Sequence, residues 1–260
     1  MRKNKVRRAL QQGRAIYGIM IQEMRSSAIA QLMATAGFDF VFFDMEHGAY
    51  NMETVADLIK VARLSDITPL VRVPDDQYHL IARVLDAGAQ GIMVPRIETR
   101  AQVEEIVQCA KFPPQGQRGC SVLKGHSDYQ PEPVLEFCRQ ANSDNLVILQ
   151  IERKQAIEDI ESILSVKGVD GAIMGPIDLA LSYGLPPDMS NPVIAESIQK
   201  VVDTCRQLGI ASGMHTGNLD VLKEWMARGM QIIMYSTDLG LLLDGAKRGL
   251  QELREVHQAQ

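Results

Sequence analysis

Apolar residues along this chain gather into short runs that are hydrophobic at nearly every position, separated by longer stretches with helical spacing. One unit recurs four times: a Gly, a small or apolar residue, Asp or Gln, any residue, then an apolar run. It reads GFDFVFF from Gly37, GAQGIMV from Gly88, GVDGAIM from Gly168 and GMQIIMY from Gly229. The stretches before it, such as AIAQLMATA and VLKEWMAR, repeat their apolar positions every three to four residues, as an amphipathic helix does. The Gly ends that helix in a left-handed conformation that Gly alone adopts cheaply. A run that is apolar on both faces then suits a strand covered on both sides, as in a parallel sheet.

Further strand-like runs lie between the copies: AIYGIMI (15–21), TPLVRV (68–73), NLVILQIE (145–152) and GIASGM (209–214). The count is eight strands with helices between them, and the repeat marks the second, fourth, sixth and eighth. This predicts an α/β fold, a (β/α)8 TIM barrel, formed by residues 1–260 as one domain. An open doubly wound sheet would want a Gly-rich phosphate loop after its first strand, and GIMIQEMRSS contains no GxGxxG. Two spacings are stretched. An insertion at about 112–131 precedes a further helix, and GLPPDMSNP occupies 184–192. Both are expected to decorate one face and to cover a pocket there. A last helix is expected at about 239–257.

Composition narrows the classes. The chain has 260 residues, 46% of them hydrophobic, which is enough for a sizeable core. A net charge of −5 argues against a nucleic-acid partner, because few counterions would be released on binding. The basic cluster Arg2, Lys3, Lys5, Arg7 and Arg8 reads as a solvated first helix. Four dispersed cysteines (109, 120, 138 and 205) with no leader ahead of them predict reduced thiols and a cytoplasmic protein, and no apolar run is long enough for a membrane span.

Barrel enzymes carry their reacting groups at the C-terminal ends of the strands. Those positions hold Asp44, Glu46 and His47 (FFDMEHG), Arg72, Arg96, Gln150 and Glu152, Asp178, His215 and Asp238. Glu152 and Asp178 end adjacent strands, about 5 Å apart. Two carboxylates so close repel unless they share a proton or a cation, and oxygen ligands select a hard cation: Mg²⁺, Mn²⁺ or Ca²⁺. The alternative is that each pairs with an arginine or caps a helix. His47 is either a silent structural group or a proton carrier, with Asp44 set to fix its tautomer. Arg72 is either scaffold or a holder of a substrate oxygen. In GPIDLA the N–H groups of Ile177 and Asp178 open a helix and offer a carboxylate a place beside the cation.

Together the motifs FDFVFFDMEHG, LVRVP, LDAGAQGIMVPRIET, FPPQGQRG, LQIE and GPIDLALSYG, in this order over residues 13–245, resemble the class II pyruvate aldolases of the HpcH/HpaI superfamily. The resemblance implies Glu152 and Asp178 as metal ligands and His47 as the proton carrier, oriented by Asp44 and Asp86. It implies Arg72 as the group that stabilises an enolate oxygen, with Gln150 in the same cavity. Gly175, Pro176 and Ile177 would take the carboxylate of a small 2-oxo acid, with Arg118 as a further substrate contact. A homohexamer of two trimers, exchanging C-terminal helices, is implied too. The expected reaction is reversible cleavage of a 4-hydroxy-2-oxo acid to pyruvate and an aldehyde, with a cation stabilising the charge on the keto oxygen. No lysine stands at a pocket-facing strand end, which disfavours a Schiff base.

The chain departs from the family pattern at CSVLKGHSDYQ after Gly119, at GMHTGN and at YSTD. In the first of these Lys124, His126 and Tyr129 are expected at the distal end of the substrate. Two other functions stay open: condensation of oxaloacetate with acetyl-CoA to citrate, as in a siderophore branch of the same superfamily, and a non-catalytic barrel that binds a small anion.

Overall fold

In the computed structural model, which describes residues 2–258, eight parallel strands close on themselves in chain order. They are β1 (Ile16–Ile21), β2 (Phe40–Asp44), β3 (Thr68–Arg72), β4 (Gly91–Val94), β5 (Leu146–Ile151), β6 (Gly171–Met174), β7 (Ala211–Thr216) and β8 (Ile232–Thr237). Each pairs with the next, and β8 returns to β1. The barrel read from the sequence is the barrel observed. The four repeat glycines all have positive φ (94, 113, 108 and 109°), as helix-ending residues that turn back into a strand require.

Around the strands run α1 (Lys5–Gln11), α2 (Ala28–Thr35), α3 (Met52–Leu64), α4 (Tyr78–Ala87), α5 (Arg100–Ala110), α6 (Val134–Asp144), α7 (Lys154–Glu158), α8 (Ile160–Leu164), α9 (Pro176–Ser182), α10 (Pro192–Leu208), α11 (Leu219–Ala227) and α12 (Asp238–Gln258). Four helices that follow the strands' C-terminal ends begin with a side-chain cap: Asn51, Thr99, Asn191 and Asn218 each accept a backbone N–H of the first turn. Each such cap stabilises its helix by about 1 kcal/mol.

Alternation along the strands sorts the core into two layers. One set of residues, including Val41, Phe43, Val71, Ile92, Leu149 and Ile151, packs outward against the helices. The opposite set fills the barrel: Ile16, Met20, Phe40, Phe42, Leu70, Met93, Leu146, Ile148, Ile173, Ile232 and Met234. Val6 and Ala9 of α1 join that interior set and plug the end from which the strands start. Space inside is tight enough that a methyl group at Gly18 would lie 2.1 Å from the Phe40 ring. Continued upward, the same inward parity reaches Asp44, Arg72, Gln150, Glu152, Gly175, His215 and Ser236. The apolar filling therefore gives way to a polar layer at the C-terminal mouth.

The two stretched connections lie at opposite ends, contrary to the expectation of one decorated face. Residues 184–191 join α9 to α10 on the side where the strands end. The 112–133 segment instead joins α5 to α6, ahead of β5, and so lies where strands begin. Its contacts agree: a Cβ at Gly125 would meet the Ala87 carbonyl at the C-terminal end of α4.

Candidate active site

Asp44 is the last residue of β2 and fully buried, a position no carboxylate holds unpaired. Its partner is Arg72, directly across the β2–β3 register. Arg72 Nε donates to Oδ1 at 2.8 Å and Nη2 to Oδ2 at 2.6 Å, a two-pronged pair. Burial pushes the Asp44 carboxyl up, but the hydrogen bonds and charge of Arg72 outweigh it, and the net direction is down. Arg72 moves oppositely: burial works against its charge, Asp44 restores it, and the guanidinium is held more firmly protonated than usual. Its third nitrogen, Nη1, reaches Gln150 Oε1 at 3.2 Å.

Glu46 is a hub that the sequence reading left at the rim without a role. Its Oε1 receives Arg96 Nη1 at 2.8 Å. Its Oε2 lies 3.2 Å from Arg72 Nη1 but accepts no well-aligned hydrogen bond although buried, so the contact is electrostatic only. Burial raises the Glu46 carboxyl, and the nearby charge of Glu152 raises it further against the pull of Arg72. Glu46 and Glu152 thus feel each other across the mouth.

Glu152 follows β5 and is 3% exposed. Its Oε1 accepts the Arg96 backbone N–H at 2.7 Å, and its Oε2 accepts the Gln150 side-chain amide in a very short bond. Arg96 turns its N–H inward because its backbone is left-handed (φ 56°), an uncommon conformation for a residue with a side chain. The carboxylate is pressed toward β6, since a Cβ at Gly175 would stand 2.7 Å from Glu152 Oε2 and 2.9 Å from its Cβ. Gly175 (φ −104°) is a glycine for room rather than for conformation. Three residues on, Asp178 lies in the first turn of α9, exposed and with no side-chain bond among the described residues. The N–H groups of Ile177 and Asp178 are likewise without an acceptor among the described residues.

Charge balance at this mouth is uneven. Asp44, Glu46, Glu152 and Asp178 stand against Arg72 and Arg96, which leaves two negative charges over. Among the described residues no cluster of three or more His, Cys, Asp or Glu forms a metal cage. Two carboxylate oxygens, one fixed and one free, with surplus negative charge beside them, nevertheless suit a hard divalent cation that keeps open positions for a guest.

Other sequence candidates are placed differently. Asp44 does not touch the His47 ring. It accepts the backbone N–H groups of Glu46 and His47 through Oδ1, and so shapes the turn that carries His47. The imidazole is 63% exposed, with Glu46 Oε2 3.9 Å from its Nε2. Asp86, Arg118 and His126 form a separate cluster at the far end of the barrel, because α4 runs away from the mouth and Asp86 is its second-last residue. Arg118 Nη2 donates to Asp86 Oδ1 at 2.5 Å, and His126 Nδ1 lies 3.6 Å from the same oxygen. Within one chain, therefore, Asp86 does not orient His47, and Arg118, His126, Lys124 and Tyr129 do not reach a guest at the mouth. Asp238 is structural: it accepts the backbone N–H groups of Gln22, Glu23 and Met24 and closes the loop after β1. His215 lies inside the mouth with Nε2 2.8 Å from the Ser236 carbonyl, and burial lowers its pKa.

The model of the HpcH/HpaI aldolase/citrate lyase family matches residues 20–245, a span that contains every residue of this mouth. The chain belongs to that family. A 4-hydroxy-2-oxo-heptane-1,7-dioate aldolase of Escherichia coli is 30% identical over 94% of this chain and 92% of its own. Among solved structures, an HpcH/HpaI aldolase from Desulfitobacterium hafniense DCB-2 superposes with TM-score 0.93 at 30% identity, covering 98% of each chain. Citrate synthase SbnG superposes at 0.86 with 29% identity over 97% of this chain and 98% of its own. Membership makes this HpcH/HpaI protein an enzyme of the aldolase and lyase kind.

One consequence concerns Gly175. Gly175→Ala is expected to lower kcat/KM by about 100-fold while the melting temperature falls by only a few degrees, because the added methyl must push the Glu152 carboxylate aside. Enzyme kinetics together with a thermal melt check this, and a fully active alanine variant would show that the close approach is irrelevant.

Proposed function

We propose that this HpcH/HpaI protein is a divalent-metal-dependent aldolase that reversibly cleaves a 4-hydroxy-2-oxo acid to pyruvate and an aldehyde. The observation that carries this reading is the Glu152 carboxylate, buried at a strand end, fixed by the Arg96 N–H and the Gln150 amide, and pressed toward the β6–α9 turn that bears Asp178. Glu152 and Asp178 would hold Mg²⁺ or Mn²⁺, which when bound supplies positive charge to a keto oxygen.

The protein's own groups do the rest. The free N–H groups of Ile177 and Asp178, just past Gly175 and Pro176, take the substrate carboxylate. Arg72, locked by Asp44, holds its charge toward the inner mouth, where negative charge gathers on the keto oxygen as the C3–C4 bond breaks. Gln150 bridges Arg72 and Glu152 and so fixes their spacing. His47, exposed at the rim with Glu46 nearby, takes the proton of the 4-hydroxyl group as the aldehyde forms and returns a proton to C3 of pyruvate. The outer mouth, near His47, releases the aldehyde.

Two further properties belong to the same proposal. Leu239, Leu242, Leu243, Leu250 and Leu253 of α12 are 47 to 72% exposed, which fits a homo-oligomer, a hexamer by resemblance. No helix among the described residues is long and apolar enough to cross a membrane, and the reading is of a cytoplasmic enzyme.

The test is direct. Purified protein with Mg²⁺ or Mn²⁺ is expected to release pyruvate from 4-hydroxy-2-oxo acids, to lose this activity in EDTA and to regain it when metal is restored. The similarity to citrate synthase SbnG favours one competing outcome. Free thiol from acetyl-CoA and oxaloacetate, without aldol cleavage, would replace the aldolase by a condensing enzyme. Silence in both assays would leave an anion-binding barrel.

A further inference from the structure

The cluster at the far end of the barrel contains two cysteines that the proposed aldol chemistry does not use. Cys138 Sγ on α6 lies 3.5 Å from Cys120 Sγ in the 112–133 segment, and donates toward it. Cys120 is exposed and Cys138 partly buried. Their neighbours hold them in place. The His126 ring packs against Phe137 at 4.6 Å between centroids, tilted by 41°, while its Nε2 lies 2.9 Å from the Ser121 carbonyl. One imidazole thus ties the residue after Cys120 to the residue before Cys138. On the other side of Cys120, Arg118 lies over the Phe112 ring at 4.5 Å and is paired to Asp86. The two sulfurs face each other from a fixed loop and a fixed helix, and only about 1.5 Å of approach separates them from a covalent bond.

We propose that Cys120 and Cys138 form a reversible redox modification site, in which a peroxide or a small disulfide such as oxidised glutathione converts the pair to an intrachain disulfide. Exposure decides the order. The Cys120 thiolate attacks a peroxide oxygen, the O–O bond breaks, hydroxide leaves as water, and Cys120 becomes a sulfenic acid. Cys138 then attacks the Cys120 sulfur, the S–S bond forms, the S–O bond breaks, and a second water leaves. Two thiols have lost two hydrogens, and one peroxide has become two waters. With oxidised glutathione the same two attacks release two molecules of reduced glutathione. Burial, with the hydrogen bond to Cys120 added, raises the Cys138 thiol, in keeping with its place as the second sulfur to react. The other two cysteines do not compete as partners: Cys205 is buried and pushed up to about 12, and Cys109 also lies above the usual thiol range through burial.

Peptide mapping of the whole protein tests this. The protein is treated with hydrogen peroxide or oxidised glutathione, its remaining thiols are alkylated, and it is digested with trypsin. Cleavage after Arg118, Lys124 and Arg139 places the cysteines in the separate peptides 119–124 and 125–139. The expected product is these two peptides joined, lighter by two hydrogens than their sum and separated by dithiothreitol. It should form equally in the Cys109→Ser, Cys205→Ser double variant. Cys138→Ser should instead leave Cys120 as a sulfenic acid or as a glutathione adduct. The proposal is overturned if wild-type Cys120 accumulates as a glutathione adduct, a sulfinic acid or a cross-chain dimer while Cys138 stays open to alkylation. Neither result depends on the aldolase reading, because the mapping involves no substrate or metal.

Discussion

Glu152→Gln is expected to lose at least about 1,000-fold in kcat/KM and to bind Mn²⁺ far more weakly, with the fold unchanged. The substitution keeps the size and one acceptor oxygen, so the Arg96 N–H retains its partner. It removes the charge. A divalent cation stabilises developing oxyanion charge by several kcal/mol, and about 4 kcal/mol corresponds to roughly 1,000-fold in rate. Two effects on stability oppose each other: the charge of Glu152 repels Glu46 and helps to raise its carboxyl, so removing it brings relief, but the Gln150 amide loses the oxygen it donates to. The melting temperature is therefore expected to change by only a few degrees. A variant that keeps full activity would remove Glu152 from the site, and one that fails to fold would make it a scaffold residue.

The second large effect is expected at Arg72. Arg72→Ala should cost about 3–5 kcal/mol of stability at neutral pH, because Asp44 is fully buried and would keep its charge without a counterion. Activity should vanish with it. Arg72→Lys separates the two roles: it restores a charge near Asp44 and part of the stability, but not the fork that binds both carboxylate oxygens while reaching Gln150. About 100-fold lower kcat/KM is expected for the lysine variant. The pH dependence gives the pairing its sign. In wild type the Asp44 carboxyl lies below its ordinary value of 3.8, so its stabilising contribution is complete above that value and is lost as pH falls through the lower one. In Arg72→Ala burial is opposed only by the hydrogen bonds from Gln22 and the turn N–H groups, so the Asp44 pKa rises and acidification relieves the unpaired charge. The stability gap between the two proteins should thus narrow from neutral pH toward about pH 4 in urea melts. A gap that widens on acidification would mean that Asp44 and Arg72 do not act as a pair.

Much of this arrangement was legible in the residues. A both-face apolar run after a helix-ending Gly has few homes other than a buried parallel strand, and the four copies beginning at Gly37, Gly88, Gly168 and Gly229 therefore announced the barrel. Strand parity then put Gln150 and Glu152 on one side. What the sequence did not carry was backbone direction. Nothing in VPRIET shows that Arg96 turns left-handed and spends its N–H on Glu152, and nothing in DMEHG shows that Asp44 holds Arg72 rather than the His47 ring. Glu46 was visible at the rim, but its place between Arg72 and Arg96 depends on the β2–β3–β4 register. The 112–133 segment was misplaced for a simpler reason. A helix stands between it and β5, which makes it a helix-to-strand connection at the end where strands start, and Pro and Gly content alone does not distinguish the two ends of a barrel.

Anomalous diffraction from crystals of the protein soaked in Mn²⁺ would show whether one divalent cation lies between Glu152 and Asp178, as the aldolase requires. A single strong manganese peak is expected within about 2.2 Å of a carboxylate oxygen from each residue, absent in Glu152→Gln crystals soaked alike. A peak bound elsewhere, or none at the mouth while Glu152 stays engaged only with Arg96 and Gln150, would contradict it.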